Sequence, residues 1–373
     1  MSDTPPPIEN EESKPAEKRI KQFPCGQCGA KLEFKPGLSA LQCPYCGHES
    51  AIPQSEEDIV ELDYHTQLAE LAQTQETEEH TFVKCDGCGA DVDKPEKVDA
   101  FPCPYCDHNI VATEHSARLI KPKSVLPFKV TRKKARAAFQ DWIKGLWFAP
   151  NKLKQYARAD NRLNGLYVPY WTYDSDTTSF YRGERGEDYW DTEWYTDSEG
   201  KQKSRQVRKT RWYPCSGTVW VDFDDVLVLA STSLPKKYAV RLEPWDLDNL
   251  EPYSHEYLSG FTAEAYHVDL GEGFDEAKDI MADGIRREIK RDIGGDHQRI
   301  HSVRSRYDNV TFKHILLPIW MSAYRYQGKV YRFLVNARSG EVQGERPWSW
   351  VKIAFAVLTA LIIIGIIAFF ANN

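Results

Sequence analysis

The chain has 373 residues, 41% of them hydrophobic and 28% charged, with a formal net charge of −7. That length allows two or three domains, and the balance is that of a folded globular protein. The negative sign excludes a chain that binds polyanions over its whole surface.

Residues 1–22 begin MSDTPPPIENEESKP and are polar, proline-rich and highly charged. They hold no apolar run of the kind a secretory signal needs, and they read as a disordered arm.

Two phrases then repeat at an offset of sixty residues. FPCGQCGA (23–30) returns as VKCDGCGA (83–90), and LQCPYCGH (41–48) returns as FPCPYCDH (101–108). Each copy is C-x2-C-x14-C-x2-C. The first, over 23–50, uses Cys25, Cys28, Cys43 and Cys46; the second, over 82–115, uses Cys85, Cys88, Cys103 and Cys106. Two residues between cysteines let both sulfurs and several N–H groups curl round one ion. Gly29 and Gly89 permit the turn that follows. Fourteen residues suffice for a hairpin bringing a second knuckle, and Leu32 and Phe34 alternate as a half-buried strand does. Four thiolates in a tetrahedron suit Zn²⁺, so two zinc ions per chain are expected, which implies a reducing compartment. Iron on a rubredoxin-like knuckle and a thiol redox pair are the less favoured alternatives. His48 and His108 follow the fourth cysteines and read as neighbours of the metal site rather than ligands.

Both units look like zinc ribbons of the transcription-factor-IIB type, which often bind nucleic acid, but the local charge opposes that use. Residues 82–115 carry three lysines against seven acids, and the connector 51–81 carries nine acids with no Lys or Arg. A phosphate binder needs the opposite sign. The connector is expected to be helical, with Val60, Tyr64, Leu68 and Leu71 on one face.

The sign flips over 118–162, with thirteen Lys/Arg and two acids. Thr131 is expected to cap a basic amphipathic helix, TRKKARAAFQDWIKG, with Ala135, Ala138, Phe139, Trp142, Ile143 and Leu146 on its apolar side. A core helix with a solvated basic face is the plain reading; contact with anionic lipid, with the acidic connector or with nucleic acid are the others. VLPF (125–128), YVPYW (167–171) and LLPIW (316–320) place Pro at what reads as a strand entrance. A helix precedes the last two, over 152–163 and 274–295, so two related lobes are conceivable. Residues 174–212 are expected to form long exposed strands about DSEGKQK. Asp308-Asn309 reads as a hairpin turn, and NARSG as another. The whole is an α+β fold: two small N-terminal zinc ribbons, a β-rich α+β domain over 119–345, and one C-terminal transmembrane helix.

Enzyme chemistry is not legible. No phosphate-binding loop, dinucleotide fingerprint, H-E-x-x-H or G-x-S-x-G occurs. His255-Glu256 lacks a second His. Cys215 reads as a buried structural thiol. Asp222, Asp224 and Asp225 fit a solvated strand face as well as a cation site.

Ile353–Ala371 is nineteen residues without a charge, about 28 Å as a helix. Its twelve Ile, Leu, Val and Phe favour insertion by about 4–7 kcal/mol. Trp348 and Trp350 stand where an aromatic belt would. Arg346 and Lys352 on the N-terminal side place residues 1–352 in the cytoplasm by the positive-inside rule. The expected span over 351–371 makes the chain tail-anchored.

The ordered set CGxCGA…CPYC twice, VLPFKVTRKKA, GLYVPYWTYD, LSGFTAEAY, LLPIWMSAYRYQGK and a C-terminal span resembles the YdjG-like family of bacterial membrane proteins. The resemblance implies the eight cysteines as metal ligands and a bacterial inner-membrane location. It also implies protein partners among phage-shock-type or SPFH-type membrane proteins, and it assigns no catalytic residues. A tail-anchored adaptor with no enzymatic activity is therefore the expectation. A membrane-tethered nucleic-acid binder is the alternative, and a sensor or enzyme with a site in the α+β domain is the third.

Overall fold

The computed structural model describes residues 23–372 apart from 39, 54–58, 74–76, 86–90, 94–99, 104, 106–108, 112–113, 154–162, 199 and 328. The expected arm 1–22 and most of the helix expected over 152–163 lie outside the described residues.

In chain order, β1 (Glu33–Phe34), β2 (Ala40–Gln42) and β3 (Glu49–Ala51) form a small antiparallel sheet. Next come β4 (Leu62–Asp63) and α1 (Tyr64–Gln73). β5 (Thr77–Lys84), β6 (Asp91–Asp93), β7 (Ala100–Pro102), β8 (Asn109–Val111) and β9 (Glu114–Ile120) build two further small sheets. The large sheet takes β4, β10 (Ser124–Val125), β11 (Asn164–Thr196), β12 (Gln202–Leu229), β13 (Glu251–Pro252), β14 (Thr262–Ala263), β15 (His297–Tyr326), β16 (Lys329–Asn336) and β17 (Val342–Gly344). The longest helices among the described residues are α2 (Arg132–Gly145), α3 (Leu270–Ile293) and α4 (Trp350–Asn372).

Three strands dominate. β11, β12 and β15 have 33, 28 and 30 residues. They lie antiparallel in the order β12-β11-β15. Long strands are expected where inward residues alternate with polar ones, and Ser175, Thr177, Ser179 and Tyr181 are buried while Asp176, Phe180 and Arg182 are exposed. α3 covers the inward side: Ile285, Ile289 and Ile293 pack with Tyr181 and Val219. Its N-cap Asp269 accepts from the Glu272 N–H at 2.7 Å.

The three proline phrases meet in the middle of this sheet. Pro169 pairs with Leu316, Tyr167 with Pro318, and Val125 runs parallel beside Leu316. Pro169 and Pro318 are thus inside central strands rather than at strand entrances, while Pro127 follows the end of β10. In the first two the missing N–H is tolerated because each proline stands where its strand changes neighbours. Before Pro169, β11 pairs β14 at Leu166 and Tyr167; after it, β12 begins at Tyr170. Before Pro318, β15 pairs β10 at Ile315 and Leu316; after it, β16 begins at Ile319.

The surroundings repeat as well. Ala230 N–H donates to Pro169 O, and Ala337 N–H to Pro318 O. Val268 N–H donates to Ala230 O, and Val130 N–H to Ala337 O. Val268 and Val130 each precede the cap of a long helix, Asp269 for α3 and Thr131 for α2. Two β-α-β-β units, about 124–230 and 262–337, are therefore related by a two-fold axis between Pro169 and Pro318. Each gives its first strand to the other's edge.

Several local expectations change. Asp308-Asn309 is not a hairpin turn. Asn309 has φ 50° inside β15, where the pairing with β11 slips by one residue, and Asp225 has φ 52° at the matching slip in β12. These are bulges on both sides of Asp174 and Ser175. Among the described residues the connector is helical only over Tyr64–Gln73; Leu62 and Asp63 pair with Phe312 and Thr311, and β5 pairs with β9. Of its stripe, Tyr64 is buried against Phe274, Val60 is exposed because the chain is extended before residue 64, and Leu68 is exposed within the helix. In α2, Ala135, Phe139 and Ile143 are buried, and Phe139 stacks on Phe333 at 3.5 Å. The apolar face is consumed by the core, which leaves only the basic face for solvent. In α3, Ile280 is exposed while Met281 is buried.

Candidate metal centre

The first cysteine unit is held by its own backbone. Cys25 N–H donates to Ala30 O at 2.7 Å and Gly29 N–H to Cys25 O at 2.8 Å. In the second knuckle, Cys43 N–H donates to His48 O at 2.8 Å and Gly47 N–H to Cys43 O at 3.1 Å. Gly29 and Gly47 both take φ 75°, which a side chain would resist. Leu32, Phe34 and Leu41 are buried between the knuckles and the large sheet.

The four sulfurs lie within 4.8 Å of one another. Cys25 Sγ stands 3.6 Å from Cys46 Sγ, and Cys28 Sγ 3.5 Å from Cys43 Sγ. A tetrahedron with metal–sulfur bonds of about 2.3 Å has edges of roughly 3.8 Å, so the donor set fits one tetrahedral ion. Its electrostatics ask for one. N–H groups of Cys46 and Tyr45, against desolvation, pull the Cys43 thiol down to about 6. At Cys28 the Ala30 N–H works in the same direction, but the crowding thiols of Cys43 and Cys46 push it up to about 12. Four thiolates this close cannot all ionise without a cation between them. Four cysteines thus form a cluster able to hold a metal ion. His48 takes part through its backbone carbonyl.

The second unit differs. Cys85 and Cys103 are buried, at 0% and 2% exposure, in an apolar cluster with Val83, Tyr105 and Leu126. Tyr105 N–H donates to Cys103 Sγ at 3.4 Å, the knuckle contact of a CPYC turn. Cys88, Cys106 and His108 lie outside the described residues. Tyr105 is 2% exposed whereas its counterpart Tyr45 is 84% exposed, so the repeated phrase meets opposite surroundings.

The first unit is bolted to the large sheet. Phe34 N–H donates to Ser259 O at 2.9 Å, Ser259 Oγ–H to Leu32 O at 2.6 Å, and Gly37 N–H to Phe128 O at 2.9 Å. Phe34 also meets the Tyr257 ring edge-on at 5.4 Å.

Asp224 and Asp225, weighed from the sequence as a strand face or a cation site, belong to a second polar cluster. Carboxylates of Glu61, Asp174 and Asp224 lie within 4.8 Å of one another. Lys313, 8% exposed, places Nζ 3.0 Å from Glu61 Oε1 and 2.8 Å from Asp225 Oδ1. Desolvation works to lower the Lys313 pKa, and hydrogen bonds to Asp225 and Glu61 overcome it and raise it. Desolvation pushes Asp174 up to about 6, against the Asp225 N–H and Lys313. The ammonium already supplies the cation, so this is an ion-pair network tying the connector to β15. Sequence reasoning missed Glu61, Asp174 and Lys313, and the signal for the last was a lone lysine inside the apolar run VTFKHILLPIW. Asp222 stands apart from this network, and Cys215 is half-buried against α3's cluster.

α4 begins where α2 ends. Ser349 N–H donates to Phe148 O at 2.8 Å, and Lys352 Nζ donates to the carbonyls of Trp147 and Ala149 at 3.1 and 2.8 Å. Its span Trp350–Phe370 has 21 residues, mean hydropathy 3.0 and no burial, long and apolar enough to cross a membrane.

No family model matches the chain, and no solved structure does. The chain is 24% identical over 344 residues to the uncharacterised protein YdjG of Bacillus subtilis (strain 168), covering 90% of this chain and 92% of the relative.

Proposed function

We propose that the protein is a membrane-anchored adaptor without enzymatic activity: two zinc ribbons and the α+β body face the cytoplasm, α4 holds them at a bacterial inner membrane, and the assembly recruits protein partners there. The observation that carries this reading is an uncovered 21-residue apolar helix joined by hydrogen bonds to a body on which a four-cysteine unit is docked. Docking leaves the outer loops of the first ribbon free, including Tyr45 at 84% exposure, as the recruiting surface. The acidic second unit and the acidic connector between the units favour proteins over nucleic acid as partners. A role in membrane-stress assemblies is consistent with such an adaptor.

The test is affinity purification of the full chain from solubilised membranes beside a Cys43→Ser/Cys103→Ser variant. A defined partner set that disappears from the variant, while the variant still fractionates with membranes, is the expected result. The same partner list from both chains would sink the reading.

A further inference from the structure

The face of β12-β11-β15 turned away from α3 carries charges that the single chain does not neutralise. One rung across the three strands is Asp222, Asp176 and Asp308. Paired residues point to the same face, so three carboxylates stand about 5 Å apart in a row. Asp308 has Arg306 at 2.7 Å and Asp176 accepts from Asn309 Nδ2 at 2.7 Å, whereas Asp222 has no partner among the described residues. Three rungs along, Arg182 stands between Ser216 and Ser302. Arg182 and its diagonal neighbour Arg304 are exposed and lack an acidic partner among the described residues.

Two aromatic rings lie between the charged ends. Trp220 is 70% and Phe180 is 56% exposed, on neighbouring rungs of the same face. Trp220 projects, while the ground beside it is a recess of about 680 Å³ lined by Phe180, Arg182, Thr218 and Arg304. Knob, recess, acidic row and free arginine thus follow one another in a self-complementary order. Turning a second copy over about an axis across the strands at residue 179 sets Arg182 opposite the second copy's Asp176. Each Trp220 then meets the other copy's Thr218 at the edge of the recess, where Arg304 and Arg182 can lie against the indole.

We propose that this open sheet face is an isologous interface, occupied by a second copy of the same chain, with Arg182 pairing to the Asp176–Asp222 row across the two-fold axis. The four rungs cover roughly 27 Å by 15 Å on each copy, on the order of 800 Å² over both, which is less than a stable soluble dimer buries. Confinement of chains with an apolar anchor to one bilayer raises their effective concentration and offsets the small area. The pairing does not depend on what the cysteine units recruit.

The experiment is energy transfer between donor- and acceptor-labelled full-length chains in liposomes, diluted with unlabelled chain. Wild type gives transfer above that of randomly placed chains, and competes. Arg182→Asp and Asp176→Arg each weaken association at least tenfold, and Trp220→Ser does the same with an unchanged circular dichroism spectrum. Residues 176 and 182 are about 20 Å apart within one strand. Restored association in Arg182→Asp/Asp176→Arg therefore reports a contact between copies and not a repaired fold. Transfer no greater than random for wild type overturns the proposal, as does a double variant as weak as either single one. A fluorescein-labelled dT20 that binds wild type and is lost in Arg182→Asp would assign the face to nucleic acid and overturn it equally.

Discussion

The indole N–H of Trp320 donates to the carbonyl of Val130 at 2.7 Å, and Val130 is the last residue before the cap of α2. Across the two-fold axis, Trp171 donates to Val268 at 2.9 Å, and Val268 is the last residue before the cap of α3. Each tryptophan therefore fixes where a long helix leaves the sheet, and the two units use the same device.

Trp320→Phe and Trp171→Phe leave those partly buried carbonyls without the donor. Each substitution should cost about 1–3 kcal/mol, beyond any change in packing. Thermal unfolding of the full chain in detergent should show comparable losses for both. A loss at one position and none at the other would contradict equivalent roles.

The first cysteine unit should hold one metal ion in the purified chain, measured by elemental analysis. Cys28→Ser should remove it. Metal binding contributes about 10–16 kcal/mol to small isolated units of this kind. Here Leu32 and Phe34 are also packed on the large sheet, so the unit should loosen rather than unfold outright. Faster hydrogen exchange at the N–H groups of Phe34 and Gly37, with β11 and β15 unchanged, is the expected sign.

Much of this was legible in the sequence because it rests on local chemistry. Cysteine spacing, the cap at Thr131, the alternation of β11 and the uncharged tail need no knowledge of distant residues. What was not legible depends on partners far along the chain. Pro169 and Pro318 read as strand entrances because nothing nearby shows that β14 yields to β12, or β10 to β16, at those points. Asn309 read as a turn because a left-handed residue in a bulge and one in a hairpin look alike until the neighbouring strand is known. Lys313 and Glu61 are separated by 252 residues, and only the fold brings their charges together.

Lys313→Met tests that network. It removes the ammonium while leaving Glu61, Asp174 and Asp225 near one another. Uncompensated buried charge typically costs 3–5 kcal/mol, and the partial exposure of Glu61 places this case near the lower end, about 3 kcal/mol. Adding Glu61→Gln should recover part of the loss. A double variant less stable than Lys313→Met would rule out charge imbalance as the cause.

His314 gives the fold a pH dependence whose sign can be worked out. Its imidazole is buried against Trp171, ring centroids 4.6 Å apart, with Nδ1 placed 3.1 Å from Ile120 O. The second ring nitrogen has no hydrogen-bond partner among the described residues. Desolvation lowers its pKa from 6.5 to about 4, against the carbonyls of Ile120 and Lys121. The unfolded chain therefore binds a proton before the folded one does. The contribution is fully present above pH 6.5 and is lost as pH falls towards 4, on the order of 3 kcal/mol over the whole window. Asp174 acts in the opposite direction between about 6 and 3.8, so the informative comparison is between wild type and His314→Gln at each pH. Glutamine can keep the donor to Ile120 O and does not titrate. Melting temperatures read by tryptophan fluorescence should fall more steeply for wild type than for His314→Gln between pH 7.5 and 5. Parallel curves would show that this histidine does not govern acid sensitivity.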